Sequence, residues 1–241
     1  MRILVLDNYE EISKKAALMI ASQVMLKPNS VLGLATGDTP LGMYKELITL
    51  YNKKEVNFNE VRTFNLDEYY GIDRENPQSY YNYMINNLFN SINVNRKNIN
   101  VPDGMAMDVE AVCRCYENKI KEVGGIDMQV LGIGGNGHIG FNEPDVNFEA
   151  QTHLVNLNAQ TIEANSRFFK SIKDVPIKAI SMGIKTIMNS KKIILLANGI
   201  GKAEAIERAI KGKISPEIPA SILQLHNDVT IILDKQAASL L

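Results

Sequence analysis

Short apolar runs alternate along the chain with stretches in which apolar residues recur every three or four positions. Strand-length runs fall at 3–6, 31–35, 61–64, 128–133, 179–182, 192–196 and 229–233. Several are apolar on both faces, as strands buried in a parallel sheet are. Between them, Ile12, Ala16, Met19 and Ile20 share one helical face, as do Leu41, Tyr44, Leu47 and Ile48, and Ala203, Ile206 and Ile210. This alternation predicts an α/β fold: a single domain over residues 1–241, built on an open, mostly parallel sheet with helices on both faces in a modified Rossmann-like arrangement. Residues 72–106 carry the Pro and Asn content of connecting segments around a helix near 80–88.

Composition narrows the partners. The 241 residues include 26 basic and 27 acidic side chains, a net charge of -1, with no block of like charge and no basic-aromatic stripe. Nucleic acid and membrane surfaces are therefore poor partners. The first apolar run is too short for a signal-peptide core, and none reaches membrane-spanning length, so a cytoplasmic, reduced protein is expected. The only cysteines, Cys113 and Cys115, stand two apart in a helical stretch and point to different faces, which argues against a disulfide or a metal pair. Composition leaves a homo-oligomer open, because an association surface cannot be told from a solvated one by residue content.

In open parallel sheets, ligands collect beyond the carboxyl ends of the strands, and three loops there carry chemistry. The first, Ala35-Thr36-Gly37-Asp38-Thr39-Pro40, leads from a buried strand into a helix. Free amides at a helix start and two Thr hydroxyls suit a phosphate, although the same residues make an ordinary turn capped by Thr39, and the Asp38 carboxylate would repel an anion. The second, Phe64-Asn65-Leu66-Asp67-Glu68-Tyr69, sets two carboxylates side by side. Neighbours in extended chain point to opposite faces, so at most one of Asp67 and Glu68 faces a cleft, and either serves equally well as a cap or surface acid.

The third loop, residues 132–144, matches Gly-x-Gly-x-x-Gly through Gly132, Gly134 and Gly137. A dinucleotide site is a weak reading of it: no helical pattern follows, Pro144 interrupts the segment, and the acidic residue expected about 20 positions later is missing. A turn that gathers His138, the Asn136 amide and the Glu143 carboxylate fits better, because a carboxylate beside an imidazole fixes its tautomer and raises its basicity. His153 and His226 have no such setting. Two cations stand out, Lys202 at a helix start after Gly199-Ile200-Gly201, and Arg167 in Asn165-Ser166-Arg167-Phe168-Phe169; either alone is more often a solvated surface charge.

Taken together, the segments Gly33-Leu34-Ala35-Thr36-Gly37, Thr63-Phe64-Asn65-Leu66-Asp67-Glu68-Tyr69, Gly137-His138-Ile139-Gly140-Phe141-Asn142-Glu143-Pro144 and Asn165-Ser166-Arg167-Phe168-Phe169 closely resemble the glucosamine-6-phosphate deaminase family, over nearly the whole chain. The resemblance implies a cofactor-independent enzyme with no metal, acting on an amino-sugar phosphate. His138 would open the pyranose ring, with Glu143 and Asn136 completing the relay that orients it. Asp67 would move a proton between C2 and C1. The loop Thr36, Gly37, Asp38 and Thr39, with Arg167 and Lys202, would hold the phosphate.

Three features depart from the family pattern. Asn136 stands where some members have Asp, and Asp38 where Ser or Gly is usual. In the stretch 145–155, where regulated members carry basic residues for an N-acetyl sugar phosphate, this chain has His153 and Val155, which predicts little or no such activation. The nearest rivals are a 6-phosphogluconolactonase, which resembles the family in fold but lacks the Phe-Asn-Glu-Pro continuation, and a sugar-phosphate sensor that binds without turnover. The sensors similar to it carry a DNA-binding domain, for which a first strand at Ile3 is expected to leave no room.

Overall fold

The computed structural model describes residues 1–241. Seven strands form one sheet in the order β1 (Arg2–Leu6), β10 (Val229–Asp234), β9 (Lys192–Ala197), β6 (Met128–Leu131), β2 (Val31–Leu34), β3 (Arg62–Asn65) and β5 (Ile99–Asn100). Every neighbouring pair is parallel. The helices are α1 (Tyr9–Leu26), α2 (Leu41–Asn52), α3 (Tyr80–Met84), α4 (Val109–Glu122), α5 (Ala159–Ser166), α6 (Ile184–Met188) and α7 (Ala203–Lys211).

Successive residues of the central strands feed two cores, one on each face. Ile193, Leu195 and Ala197 of β9 join α4 and α7 in one cluster. Ile194 and Leu196 join α1 and α2 in the other. Period-two alternation between two apolar layers is what makes these strands read as continuous hydrophobic runs. The α1, α2 and α7 stripes seen in the sequence lie on the faces turned to these cores, with Ile12, Ala16 and Ile20 buried and Met19 at the margin. Cys113 is buried and Cys115 exposed, on different faces of α4.

The chain runs outward from the middle of the sheet twice. From β2 it steps to β3 and β5; from β6 it steps to β9 and β10. The crevice between the carboxyl ends of β2 and β6 is therefore the topological switch point, where the two diverging loops leave a gap.

The run at 179–182, read as part of the parallel sheet, belongs instead to a second sheet. There β8 (Lys178–Ser181) lies between β4 (Asp67–Tyr69) and β7 (His153–Asn156), antiparallel to both. Leu66 joins the two sheets: its amide donates to Leu34 O of β2 and its carbonyl accepts from the Met182 amide. The chain thus leaves the large sheet at Asn65 and enters the small one at Asp67. The helix expected near 80–88 is present: α-helical from Tyr80 to Met84, it continues at Ile85–Phe89 as a wider helical turn with longer hydrogen-bond spacing. No helix is long and apolar enough to cross a membrane.

Candidate active site

A cavity of about 410 Å3 opens at the switch point. Its walls come from the loop after β2, the start of β4, the glycine-rich turn after β6, α3, α5 with the residues after it, and Lys202. Of the residues singled out in the sequence, Thr36, Gly37, Asp38, Thr39, Asp67, Asn136, His138, Arg167 and Lys202 all line it. Glu143 does not. It sits one layer behind His138 and Asn136.

Asp67 and Glu68 point apart, as extended chain requires. Asp67 faces the cavity from a residue only 6% exposed. Glu68 turns the other way: Oε1 accepts from the amides of Tyr69 and Tyr80, and Oε2 from that of Tyr81, pinning α3 against β4. Burial, followed by the charge of Glu68, pushes the Asp67 carboxyl up to about 8. Burial likewise raises Glu68 to about 7, against the pull of its three amide donors.

The turn after β6 is closed by Gly134 N donating to His138 O (2.9 Å) and Gly137 N to Gly134 O (3.0 Å). A side chain at Gly134 would overlap the His138 imidazole, so glycine there makes the slot the ring occupies. His138 Nδ1 stands 3.3 Å from Glu143 Oε2, close enough for an ion pair though without the geometry of a full hydrogen bond. Asn136 Nδ2 donates to the same oxygen at 2.9 Å, and its Oδ1 accepts from the His138 amide at 3.2 Å. Burial works to raise the Glu143 pKa, but contact with His138 and hydrogen bonds from Thr161 and Asn136 outweigh it and hold the carboxyl below the usual range.

A second group gathers on the cavity wall around Arg167. Its Nη2 lies 2.7 Å from Asp38 Oδ2, so this carboxylate is held by a cation. Burial first, and the Arg167 charge second, lower the Lys202 pKa, which marks two cations brought together. Gly37 takes φ +98°, open to glycine at little cost, and its carbonyl accepts from Tyr83 OH at 2.6 Å. Thr39 does not cap α2, whose N-cap is Pro40 without a side-chain bond; its hydroxyl donates to Asn198 Oδ1 at 2.9 Å.

Sequence reasoning passed over the aromatic wall and α5. Tyr80 stacks on Phe141 with 6.0 Å between ring centroids, and Tyr69 packs edge-on to Phe169. Asn158 and Thr161 both bond to Glu143. Asn158 as a helix start was the available signal for α5. No three His, Cys, Asp or Glu side chains cluster closely enough to hold a metal ion.

The model for glucosamine-6-phosphate isomerases and 6-phosphogluconolactonases matches residues 7–232. The chain belongs to the glucosamine-6-phosphate isomerase/6-phosphogluconolactonase family. Within that family, a glucosamine-6-phosphate deaminase of Clostridium botulinum (strain Okra / Type B1) is 68% identical over 239 residues, covering 99% of this chain and 98% of the relative. One from Clostridium acetobutylicum is 66% identical over the full length of both. A solved structure described as a monomeric glucosamine-6-phosphate deaminase superimposes with a TM-score of 0.98 at 48% identity, covering both chains completely. A 6-phosphogluconolactonase from Trypanosoma cruzi, at 19% identity and a TM-score of 0.78 over 99% of this chain and 96% of its own, shares the family fold.

Proposed function

We propose that this protein is a glucosamine-6-phosphate deaminase, converting glucosamine-6-phosphate and water to fructose-6-phosphate and ammonia in amino-sugar catabolism. The observation that carries the reading is that Asp67 and His138, from two different sheets' connections, face one cavity whose wall also holds Arg167 and Lys202. Identity of 66% or more to deaminases along the whole chain supports the substrate.

The roles follow from the chemistry. Arg167, Lys202 and the amides and hydroxyls of the loop Thr36 to Thr39 bind the phosphate, which fixes the sugar relative to the reacting groups. His138 takes the proton of the anomeric hydroxyl and returns one to the ring oxygen, breaking the C1–O5 bond and leaving an open-chain aldehyde. Glu143, as an anion behind the ring, stabilises the imidazolium between these two transfers; Asn136 fixes both groups. Asp67 then removes the proton from C2 and delivers it to C1, while the aldehyde oxygen gains the proton that the amine nitrogen gives up as the C2=N bond forms. The resulting ketimine adds water at C2 and releases ammonia. Proton transfers and hydration account for every bond change.

Asp67 suits the middle step because its raised pKa makes its conjugate acid stable enough to carry the proton from carbon to carbon. The test is to supply glucosamine-6-phosphate to the purified protein and follow ammonia and fructose-6-phosphate, with 6-phosphogluconolactone hydrolysis assayed alongside. Wild type is expected to release ammonia, and Asp67→Asn and His138→Gln to lose about 10^3-fold or more in kcat while still binding the sugar phosphate. Lactone hydrolysis without ammonia would transfer the protein to the other activity of its family.

A further inference from the structure

Glu143 is held from two sides, and only one of them is the glycine-rich turn. The other is the first turn of α5. Thr161 Oγ1 donates to Glu143 Oε1 at 2.5 Å, and Asn158 Nδ2 donates to Oε2 at 2.9 Å. The orientation of the Asn158 amide is fixed independently, because its Oδ1 caps α5 by accepting from the Thr161 amide at 2.9 Å. With the oxygen spent on the cap, the NH2 must face the carboxylate. Thr161 is 5% exposed, and its hydroxyl is bonded to Glu143 Oε1.

The donor set selects one protonation state. Asn136, Asn158 and Thr161 together direct three donors at two oxygens, with His138 Nδ1 at 3.3 Å as a fourth contact. A proton on Oε2 would face the two amide donors, and a proton on Oε1 would force the Thr161 hydroxyl to turn from donor to acceptor. An anion accepts from all. The ionisable group in contact with it is His138.

We infer that Thr161 and Asn158 are positioning residues of the reaction, holding Glu143 ionised and aimed at His138 Nδ1 so that Nε2 is the nitrogen presented to the sugar. This rests on the relay proposed above and adds its anchor. It also gives α5 a second task. The helix starts on the carboxylate and ends at Arg167, its C-cap, about 12 Å away for eight residues, so one short element carries both a relay anchor and a phosphate-side cation.

Thr161→Val keeps the shape and removes the donor; Thr161→Ser restores it. Asn158→Asp keeps an oxygen for the cap but sets a like charge against Glu143. In steady-state assays with glucosamine-6-phosphate, Thr161→Val and Asn158→Asp are expected to lower kcat about 10- to 100-fold, with KM within about threefold, and Thr161→Ser to stay within about twofold of wild type. In substrate-free protein, carbon NMR of the Glu143 carboxyl should show a higher titration midpoint in Thr161→Val than in wild type and Thr161→Ser. Wild-type kcat and an unmoved midpoint in Thr161→Val overturn the inference, as does a Thr161→Ser variant as impaired as the valine one, which would assign Thr161 to packing. Because the NMR midpoint needs no turnover, a wild type inactive on glucosamine-6-phosphate would remove the proposed activity while leaving the anchoring of Glu143 separately decided.

Discussion

Asp38 Oδ2 stands 2.7 Å from Arg167 Nη2, so the free protein holds a carboxylate of its own on a cation proposed to receive the substrate's phosphate. Both side chains are more than half exposed, at 54% and 63%, which limits such a pair to about 0.2–1 kcal/mol. A phosphate dianion, with Lys202 adding its charge, outcompetes it. Asp38→Ser should therefore lower KM for glucosamine-6-phosphate by no more than about fivefold and leave kcat unchanged. A rise in KM would mean that Asp38 orders Arg167 for binding instead of occupying it.

The buried Asp67 makes stability depend on pH in a definite direction. Its folded pKa is raised to about 8, while the unfolded chain releases the proton near the ordinary value of about 3.9. Between these, the native state binds more protons than the unfolded one, so the Asp67 contribution to stability is intact below about pH 4 and is lost as pH rises through 8. Asp67→Asn removes the titration. Its melting temperature minus that of wild type should grow from pH 4 to pH 8, at about 2–4 °C per kcal/mol for a chain of this size. A constant difference across that range would contradict the burial of an ionisable Asp67.

The role proposed for the same group makes the rate depend on pH. If Asp67 is the base at C2 it must be ionised in the free enzyme, so kcat/KM should climb about tenfold per pH unit below 8 and level above it. In the proposed complex, an amino sugar's ammonium beside the carboxylate would favour its anion, so the limb in kcat should fall at lower pH. Stopped assays from pH 5.5 to 9 separate the two. A kcat/KM profile flat from 6 to 9 would show another group to be the base.

Gly134 offers a test of the imidazole slot. Gly134→Ala puts a methyl into the space of the His138 ring. Displacement of the ring should reduce kcat about 100-fold or more, and melting should show a loss of about 1–3 kcal/mol from overpacking. An alanine variant of normal activity would mean that the ring works from a different position.

What could be read from the sequence follows from distance along the chain. The β9 and β10 runs were plain because nearly all their residues, Lys192, Thr230 and Asp234 apart, are apolar, and the opposite directions of Asp67 and Glu68 follow from strand geometry alone. The His138 turn is local, and its glycines announce a close approach. Depth was not legible: seven positions from Asn136, Glu143 could as well have lined the cavity as stood behind it. The small sheet was hidden because β4 is three residues of Asp-Glu-Tyr and β7 is four residues beginning with His, neither with a hydrophobic period long enough to register. Thr161 and Asn158 reach Glu143 from 18 and 15 residues away, a meeting that only tertiary structure arranges.

Leu66 gives the enzyme a fragility its bulk does not share. Leu66 bonds the seven-stranded layer directly to the three-stranded one through two amides, and the carboxylate beside it inherits its aim from both. Loosening the minor layer would disarm the protein while most of its framework stood intact, so mild denaturant should silence turnover ahead of the loss of helix signal.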